Sequence, residues 1–391
     1  MKHLKLLQIS TIALLSLGML QNISFAQRTR PNNSQLKIPS SPSIELNSTQ
    51  IKLNPFYLER EQKAPVTIKN QLVDLRRDIQ VKNLTFQVGY TSALDYKLEQ
   101  LAATKAPDDL PAQASTQNAL AADILRVDLA ERDKFERLNP NIIPELQLIK
   151  RRGCFASAKS FDWRNLNKVT PVRNQGGCGS CWAFATLGAY EGNNLIRNNT
   201  ASDTSEQHIV NWGGAGSCGG GWWSNAFNFL INNGTATEST VPYTATNNTY
   251  NPGVSTPYRS IAWGYVKPNG GIPTVEEMKQ AMCKYGPLAI AVRVTPAFQA
   301  YTGGVFNEQA SGAINHGVTL IGWDDQKQAW LIKNSWGTGW GDNGYMWIAY
   351  NSNSVGYGAA WTQARSNFYK ISPQLLEKIT PLKVNPNLRI R

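Results

Sequence analysis

Two kinds of periodicity follow one another along the middle and later parts of the chain. Residues 181–197 carry apolar side chains at helical spacing after a glycine-rich turn, and residues 222–233 form a second helical stretch that ends at a glycine. Between them, Thr204 and Gln207 have the spacing of a capping box before a short helix. Short runs rich in β-forming residues follow, at 287–294, 317–323, 328–333 and 344–350. Helices first and antiparallel strands later predict an α+β fold with two lobes.

The amino terminus has a different pattern. Lys2 and Lys5 precede one apolar run at residues 6–20, and small residues follow it up to Ala26. This order predicts a secretory signal peptide over residues 1–26, with an uncleaved anchor as the alternative. The run is short for a membrane span, so we expect no stable span once the signal is removed. A secreted protein is therefore expected, extracellular or periplasmic, or in a lysosome-like compartment of a eukaryote, where disulfides persist.

Composition divides the 391-residue chain. All 12 tryptophans and all 5 cysteines lie between residues 154 and 361, which indicates one compositional unit over residues 154–365. Residues 27–153 lack both residue types and combine a linker rich in Pro, Ser and Asn with a separate amino-terminal region. Residues 366–391 form a basic carboxy-terminal tail, which we interpret as a surface appendage.

Net charge argues against a nucleic-acid partner. The chain carries +12 overall, but only +2 falls within residues 154–365. A nucleic-acid-binding protein would concentrate its basic residues on the functional face, so no nucleic acid is expected.

The numbers of histidines and cysteines limit which catalytic and metal sites the chain can form. Of 3 histidines, His3 lies in the signal, which leaves His208 and His316. Sites built from several histidines, and zinc sites with paired CxxC motifs, are excluded on these counts, so we expect neither a metal nor a cofactor. Cys178 and Cys181 have CxxC spacing, and a redox pair or a structural disulfide is the competing interpretation for them.

The context of Cys181 favours a nucleophile. It follows a glycine-rich turn and begins the first predicted helix, where the positive end of the helix dipole helps a thiol to ionise. A base, itself oriented by a third group, must then be near. His316 and Asn334 lie 135 and 153 residues downstream, the spacing known for Cys–His–Asn sites.

These residues stand in blocks that resemble the papain-like cysteine peptidases. The blocks are Phe161-Asp162-Trp163-Arg164, Val169 to Gly176, Ser205-Glu206-Gln207, Cys218 to Gly221, Asn315 to Val318 and Lys333 to Tyr345. Together they cover most of residues 160–361. The resemblance implies a helical left lobe and an antiparallel, β-rich right lobe, with the active cleft between them.

The resemblance also implies catalytic roles. Cys181 would be the nucleophile, His316 its ion-pair partner and general acid, and Asn334 the group that orients the imidazole. Gln175 would donate its side-chain amide to the oxyanion, with the backbone N–H of Cys181 as the second donor. Asn334 as a turn cap and Gln175 as a loop residue are the alternatives.

Substrate contacts follow from the same resemblance. Gly220 and Gly221 would leave room for an extended peptide, and Trp336 would shield the His–Asn hydrogen bond. Trp222 or Trp223 would form the near wall of the P2 pocket, although core packing is their default interpretation. Ala360 would line its far end, which predicts a preference for Leu or Phe over Arg. Asn315 stands where several relatives carry Asp, so one local acid ionisation is expected to be missing.

The family position pairs Cys178 with Cys218. The remaining pair, Cys154 with Cys283, has no support from the family. Four cysteines allow three connectivities once Cys181 is set aside.

The amino-terminal region is interpreted as an inhibitory pro-region, with an independent folded module as the alternative. Residues 84–95 loosely resemble the segment by which such pro-regions cross the cleft. The basic run at residues 150–152, before Gly153, is the expected activation site of a latent precursor.

We therefore predict a monomeric thiol endopeptidase acting on peptides or proteins. A papain-like exopeptidase or peptide ligase, and a non-catalytic relative, are the alternatives.

Overall fold

The computed structural model describes residues 54–141, 153–248 and 253–379. The predicted signal, most of the linker, the basic activation run and the end of the tail lie outside these residues. No helix within the described ranges combines the length and apolarity needed to cross a membrane.

The amino-terminal region is mainly helical. Its elements, in chain order, are the helices Pro55–Gln62 and Val66–Val81, strand β1 (Phe86–Val88), a 3-10 turn at Ser92–Asp95, the short helix Leu98–Leu101 and the long helix Leu110–Leu138. The first and the last of these helices each have a proline in their first turn, the position that proline prefers in helices.

The remaining chain holds further helices and ten short strands. The helices are Trp163–Leu166 (3-10), Cys181–Asn198, Glu206–Trp212, Trp223–Asn232, Val275–Tyr285, Pro296–Gln299 and Pro373–Ile379. The strands are β2 (Ser160–Asp162), β3 (Gly216–Ser217), β4 (Gly220–Gly221), β5 (Ser260–Tyr265), β6 (Leu288–Val292), β7 (Tyr301–Phe306), β8 (His316–Asp324), β9 (Ala329–Lys333), β10 (Tyr345–Ala349) and β11 (Tyr357–Ala364).

The large sheet has the order β1-β7-β10-β9-β8-β6-β11-β5, with β2 added to β8. Most pairs are antiparallel, whereas β10 and β7 are parallel. The amino-terminal region supplies one edge strand, because Phe86 faces Gly304 and Gln87 faces Gly303. The predicted α+β fold is confirmed.

The helix Cys181–Asn198, called the central helix below, lies against β8, β11 and β6. Nearly every side chain on it is buried, as expected of a core helix rather than a surface helix. Three tryptophans of the same core, Trp182, Trp223 and Trp336, are also almost fully buried. The sheet and the helices beside it thus enclose one core, and the central helix begins where they meet.

Predicted elements agree with the structure where their pattern was regular. The first helix is confirmed as Cys181–Asn198, and the four predicted strands are confirmed as β6, β8, β9 and β10. The capping box was wrong by one residue: the Ser205 hydroxyl accepts from the His208 amide, whereas the Thr204 hydroxyl donates to buried Glu191. Because the hydroxyl of Thr204 is bound to this buried carboxylate, Ser205 caps the helix Glu206–Trp212 instead.

Candidate active site

Cys181 begins the central helix, directly after Ser180, and is the free cysteine of the described residues. Its side chain is fully buried. The turn before it is held by a disulfide between Cys178 and Cys218 and by a hydrogen bond from the Gly179 amide to the Cys218 carbonyl, 2.9 Å. The glycine-rich turn therefore places the sulfur at the positive end of an 18-residue helix.

His316 and Asn334 come together through strand pairing. His316 is the first residue of β8, and Asn334 follows the last residue of β9. Because the two strands are antiparallel, the start of one lies beside the end of the other. His316 Nε2 lies 2.8 Å from Asn334 Oδ1.

The hydrogen bonds at Asn334 define the tautomer of the imidazole. The Ser335 amide also donates to Asn334 Oδ1, at 2.8 Å, which identifies that atom as the amide oxygen. Since an amide oxygen only accepts, Nε2 of His316 must carry the proton. Nδ1, which is also buried, is then the ring nitrogen left to interact with the Cys181 thiol.

Aromatic rings exclude water from this pair. The Trp336 ring lies 4.7 Å from the His316 ring, centroid to centroid, and is almost fully buried. Phe298 packs edge-on against both rings. A hydrogen bond in such surroundings is stronger than one in water, which helps to keep the imidazole in one orientation.

The thiol is electrostatically activated. Burial by itself raises the pKa of Cys181, but the charge and hydrogen bonding of His316 outweigh it, with smaller help from Thr104 and the Ala103 amide. The net effect lowers the pKa from its ordinary 9.0 to about 6. The thiolate form of Cys181 is therefore favoured at neutral pH.

Gln175 presents a fixed amide donor beside the thiol. The Ser335 hydroxyl donates to Gln175 Oε1 at 2.7 Å, which turns Nε2 the other way. Nε2 then donates to the carbonyl oxygens of Cys178 and Leu101, both at 2.9 Å. The side-chain amide of Gln175 is thus occupied by a carbonyl of the amino-terminal region.

Residues 101–105, called the cleft segment below, pass directly over the thiol. The Thr104 hydroxyl lies 3.0 Å from Cys181 Sγ, and its amide donates to the Asn315 carbonyl at 2.8 Å. The Lys105 amide donates to the Gly221 carbonyl at 3.1 Å. A Cβ at Gly220 would collide with the carbonyl oxygen of the segment's Ala103, so only glycine fits there.

The expectation that residues 84–95 cross the cleft was wrong. Their alternating part does form a strand, β1, but this strand pairs with β7 at the edge of the large sheet. An exposed sheet edge with unpaired backbone groups recruits such a strand, whereas the narrow cleft accepts the small side chains of residues 102–104.

The tryptophans after the glycines are both buried and stacked, with ring centroids 3.7 Å apart. Trp222 donates through Nε1 to the Tyr265 hydroxyl at 2.8 Å, and its ring lies against Gly358 and Tyr357 of β11. Ala360 is fully buried further along β11, paired with Tyr265 and Ala289. The structure therefore brings Trp222 next to β11 near, rather than at, Ala360.

The side chain of Asn315 turns away from the catalytic pair. Its Oδ1 accepts from the Val294 amide at 2.6 Å, and its Nδ2 donates to the Val294 carbonyl at 3.1 Å. Only its backbone carbonyl reaches the cleft segment.

Farther from the cleft, a second disulfide joins Cys154 to Cys283.

Sequence reasoning missed three residues that complete the site. Thr104 touches the thiol, Ser335 orients Gln175, and Tyr243 donates from its hydroxyl to the Gln175 carbonyl at 2.9 Å. Ser335 could have been suspected because it follows Asn334. Thr104 and Tyr243 stand in stretches without a recognisable pattern, so nothing local identifies them.

Comparison with known proteins adds the family. The family model described as papain family cysteine protease matches residues 157–364, more than half of the chain. The chain is similar to digestive cysteine proteinase 3 of Homarus americanus, 36% identical over 190 residues that cover 46% of this chain and 58% of that protein. It is similar to zingipain-2 of Zingiber officinale, 38% identical over 183 residues that cover 46% and 81%.

Among solved structures, digestive procathepsin L 3 from the larval midgut of Tenebrio molitor has a TM-score of 0.57 at 24% identity, covering 79% of this chain and 93% of that one. This likeness concerns the fold alone. The chain spans only 58% of the length of the Homarus americanus relative and 52% of fruit bromelain from Ananas comosus.

Proposed function

Because the chain belongs to the papain family of cysteine proteases, we propose that it is a thiol endopeptidase made as a latent precursor. One observation carries the proposal. His316 is oriented by Asn334 at 2.8 Å, and its charge lowers the pKa of the buried Cys181 thiol to about 6. A structural thiol in such burial would have a raised pKa instead.

In the first half-reaction the Cys181 thiolate attacks the carbonyl carbon of the scissile peptide bond. The carbonyl π electrons move to oxygen, where the Gln175 amide and the backbone N–H of Cys181 stabilise the oxyanion. The tetrahedral intermediate collapses as His316 gives its Nδ1 proton to the leaving amine. The C–N bond breaks and a thioester to Cys181 remains.

In the second half-reaction water attacks the thioester, and neutral His316 takes one of its protons. A second oxyanion forms at the same donors, and its collapse expels the Cys181 thiolate with release of the carboxylic acid. Asn334 supports both halves by fixing the ring plane while the charge on the imidazole changes. The thiolate–imidazolium pair is thereby restored, and no cofactor enters.

Latency is supported by how the cleft segment lies. The groups that face Cys181 Sγ are the hydroxyl of Thr104 and the amide of Ala103, both hydrogen-bond donors. The carbonyl bound by Gln175 belongs to Leu101 instead. A scissile carbonyl would have to meet the sulfur and Gln175 at once, so this contact blocks the site without being cut.

Specificity at P2 is proposed to come from the wall formed by Trp222. A large apolar side chain packed against this ring would be preferred over glycine by about 10–150-fold, from about 1.5–3 kcal/mol of burial. The ring of Trp222 carries no charge that could pair with Arg, and Ala360, which is buried farther along β11, lies outside this wall. We therefore expect Leu and Phe to be favoured over Arg.

Active-site labelling tests the function. The processed protein should react stoichiometrically with iodoacetamide at pH 6.5, cleave internal bonds of an unstructured protein, and lose both properties in Cys181→Ala. The uncut precursor should react far more slowly, because the cleft segment covers the thiol. Full proteolytic activity of an intact chain would contradict latency, and labelling without any peptide cleavage would contradict the enzyme.

A further inference from the structure

The long helix Leu110–Leu138 follows the cleft segment, yet one face of it packs on residues 154–365, called the catalytic unit below. Its buried positions recur every three or four residues along five turns, which is the spacing of one helix face. The buried apolar residues on this face are Leu110, Ala114, Ala121, Ile124 and Val127. This face is complementary to the catalytic unit and not to the cleft.

The long helix covers a sheet edge. Strand β5 is the last strand of the large sheet, but all of its residues are buried. Gln117 donates to the Trp263 carbonyl at 2.7 Å, and Asn118 pairs with both backbone groups of Tyr265, at 3.0 and 2.8 Å. These amides supply partners that an edge strand otherwise lacks.

A buried ion pair fixes the middle of the same helix. Asp128 accepts from Arg197 of the central helix at 2.7 and 2.9 Å, and both side chains are about 95% buried. The Tyr369 hydroxyl donates to Asp128 at 2.8 Å. A charged pair at this depth is a specific contact, because removing one partner would leave the other charge unpaired in a poorly solvated site.

The described part of the carboxy-terminal tail closes over the long helix. The helix Pro373–Ile379 packs on it, with Leu375 and Ile379 buried, and Lys378 pairs with Asp123. The family-matched residues and the segment that follows them therefore both contact the long helix.

The cleft segment and the long helix are joined by residues 106–109, called the link below. Asp108 and Asp109 in it are exposed. Before the link, the chain occupies the cleft and must leave for substrate to enter. After the link, the long helix contacts β5, the central helix and the helix Pro373–Ile379. Tyr265 of β5, which Asn118 contacts, also accepts a hydrogen bond from Trp222 through its hydroxyl.

We propose that the long helix is a permanent part of the catalytic unit, and that activation needs removal of the chain only as far as the link. A cut at residues 150–152 then leaves the helix bound without a covalent connection, as a second chain of the mature protein. The statement about activation rests on the proposed peptidase function, whereas retention of the helix does not.

Retention is tested on full-length Cys181→Ala, which cannot cut itself. The recognition sequence of a sequence-specific protease replaces the link, and a second copy is inserted before Gly153. After both cuts, size-exclusion chromatography and mass spectrometry should find the helix fragment in equal amount with the catalytic unit. A helix fragment that elutes alone, while the catalytic unit keeps its thermal unfolding midpoint, overturns the proposal.

Two matched variants test whether the buried ion pair between Asp128 and Arg197 holds the helix fragment on the catalytic unit. In the doubly cut protein, Asp128→Asn should raise the concentration at which half of the helix fragment is released by about 10-fold or more. Asp123→Asn removes an exposed pair on the same helix and should change that concentration less than about 3-fold. Equal effects of the two variants would overturn the proposed role of the buried pair.

The activation step is tested on the active chain that carries only the link site. A single cut followed by dilution should produce peptidase activity, with the helix still present. If the single cut gives no activity, whereas an active chain carrying both sites becomes active once it is cut twice and has lost the helix, the proposal is overturned. If Cys181 is neither labelled nor active in any form, the peptidase function fails, and the chromatography still decides retention.

Discussion

Replacing His316 by alanine tests the ion pair most directly. With His316 present, the pKa of Cys181 is lowered from 9.0 to about 6, although burial opposes the change. This difference corresponds to about 4 kcal/mol in favour of the thiolate. Without the imidazole the pKa should rise, because burial is then opposed only by the smaller contributions of Thr104 and the Ala103 amide. The thiolate fraction at pH 7, about 90% for a pKa of about 6, should therefore fall steeply.

The assay is the rate of alkylation by iodoacetamide as a function of pH, on protein cut at the link. The rate at one pH is a poor measure, because a thiolate of higher pKa is intrinsically more nucleophilic and hides part of the loss. The midpoint is the sharper measure: reactivity should disappear at a pH well below 9.0 in the parent and at a higher pH in His316→Ala.

His208→Ala is the matched control, since His208 is the other histidine outside the predicted signal and lies in the helix Glu206–Trp212. Its midpoint should stay at the parent's value. A midpoint in His316→Ala equal to the parent's would refute the reasoning, because the thiol would then be activated by the helix dipole or by another group. Peptidase activity should fall by about 10²–10⁴-fold in the same variant, through loss of the general acid.

Further variants address the rest of the site. Gln175→Ala should lower kcat by about 10²–10³-fold with little change in KM, and an equal rise in KM would instead indicate lost substrate binding. Thr104→Val should speed alkylation of the uncut precursor without affecting the cut protein; unchanged precursor labelling would show that the hydroxyl does not protect the thiol. Replacing Cys154 and Cys283 together by alanine should cost about 2–5 kcal/mol in denaturant unfolding, and no loss would contradict a structural disulfide. Trp222→Ala should reduce the preference for P2 Leu over Gly in a peptide library, whereas P2 Arg outranking Leu in the parent would refute the pocket.

The local sequence pattern was sufficient to predict a helix or strand where the residues of that element determine its structure. The central helix follows a glycine-rich turn with apolar residues at helical spacing, and β8 is a continuous apolar run. Both elements lie in the core and need little from distant residues. The residues of the Cys–His–Asn site were identified through family blocks, because strand pairing that joins residues 18 apart is not visible in either segment alone.

Elements that depend on a partner were missed. β5 has no alternation, because the sheet and the long helix bury all of its residues. The long helix itself uses alanine, glutamine and asparagine on its packed face, so its hydrophobic pattern is weak although its contacts are extensive. The middle of the cleft segment, residues 102–104, consists of small residues, and the segment pairs through its backbone, which leaves no trace in the side-chain pattern.

The cleft segment uses the same backbone groups that a substrate needs, so inhibition and substrate binding are one competition. The Gly221 carbonyl, the Asn315 carbonyl and the Gln175 amide are all taken by it. While the link is intact, the segment competes at an effective concentration of about 1 mM, the order of magnitude for a short tether. Once the link is cut, it competes only at the concentration of free fragment, and at about 1 μM protein this is roughly 1,000-fold weaker. One cut at an exposed place is thus enough to shift the competition toward substrate. Neither the long helix nor its buried ion pair has to move for this to happen.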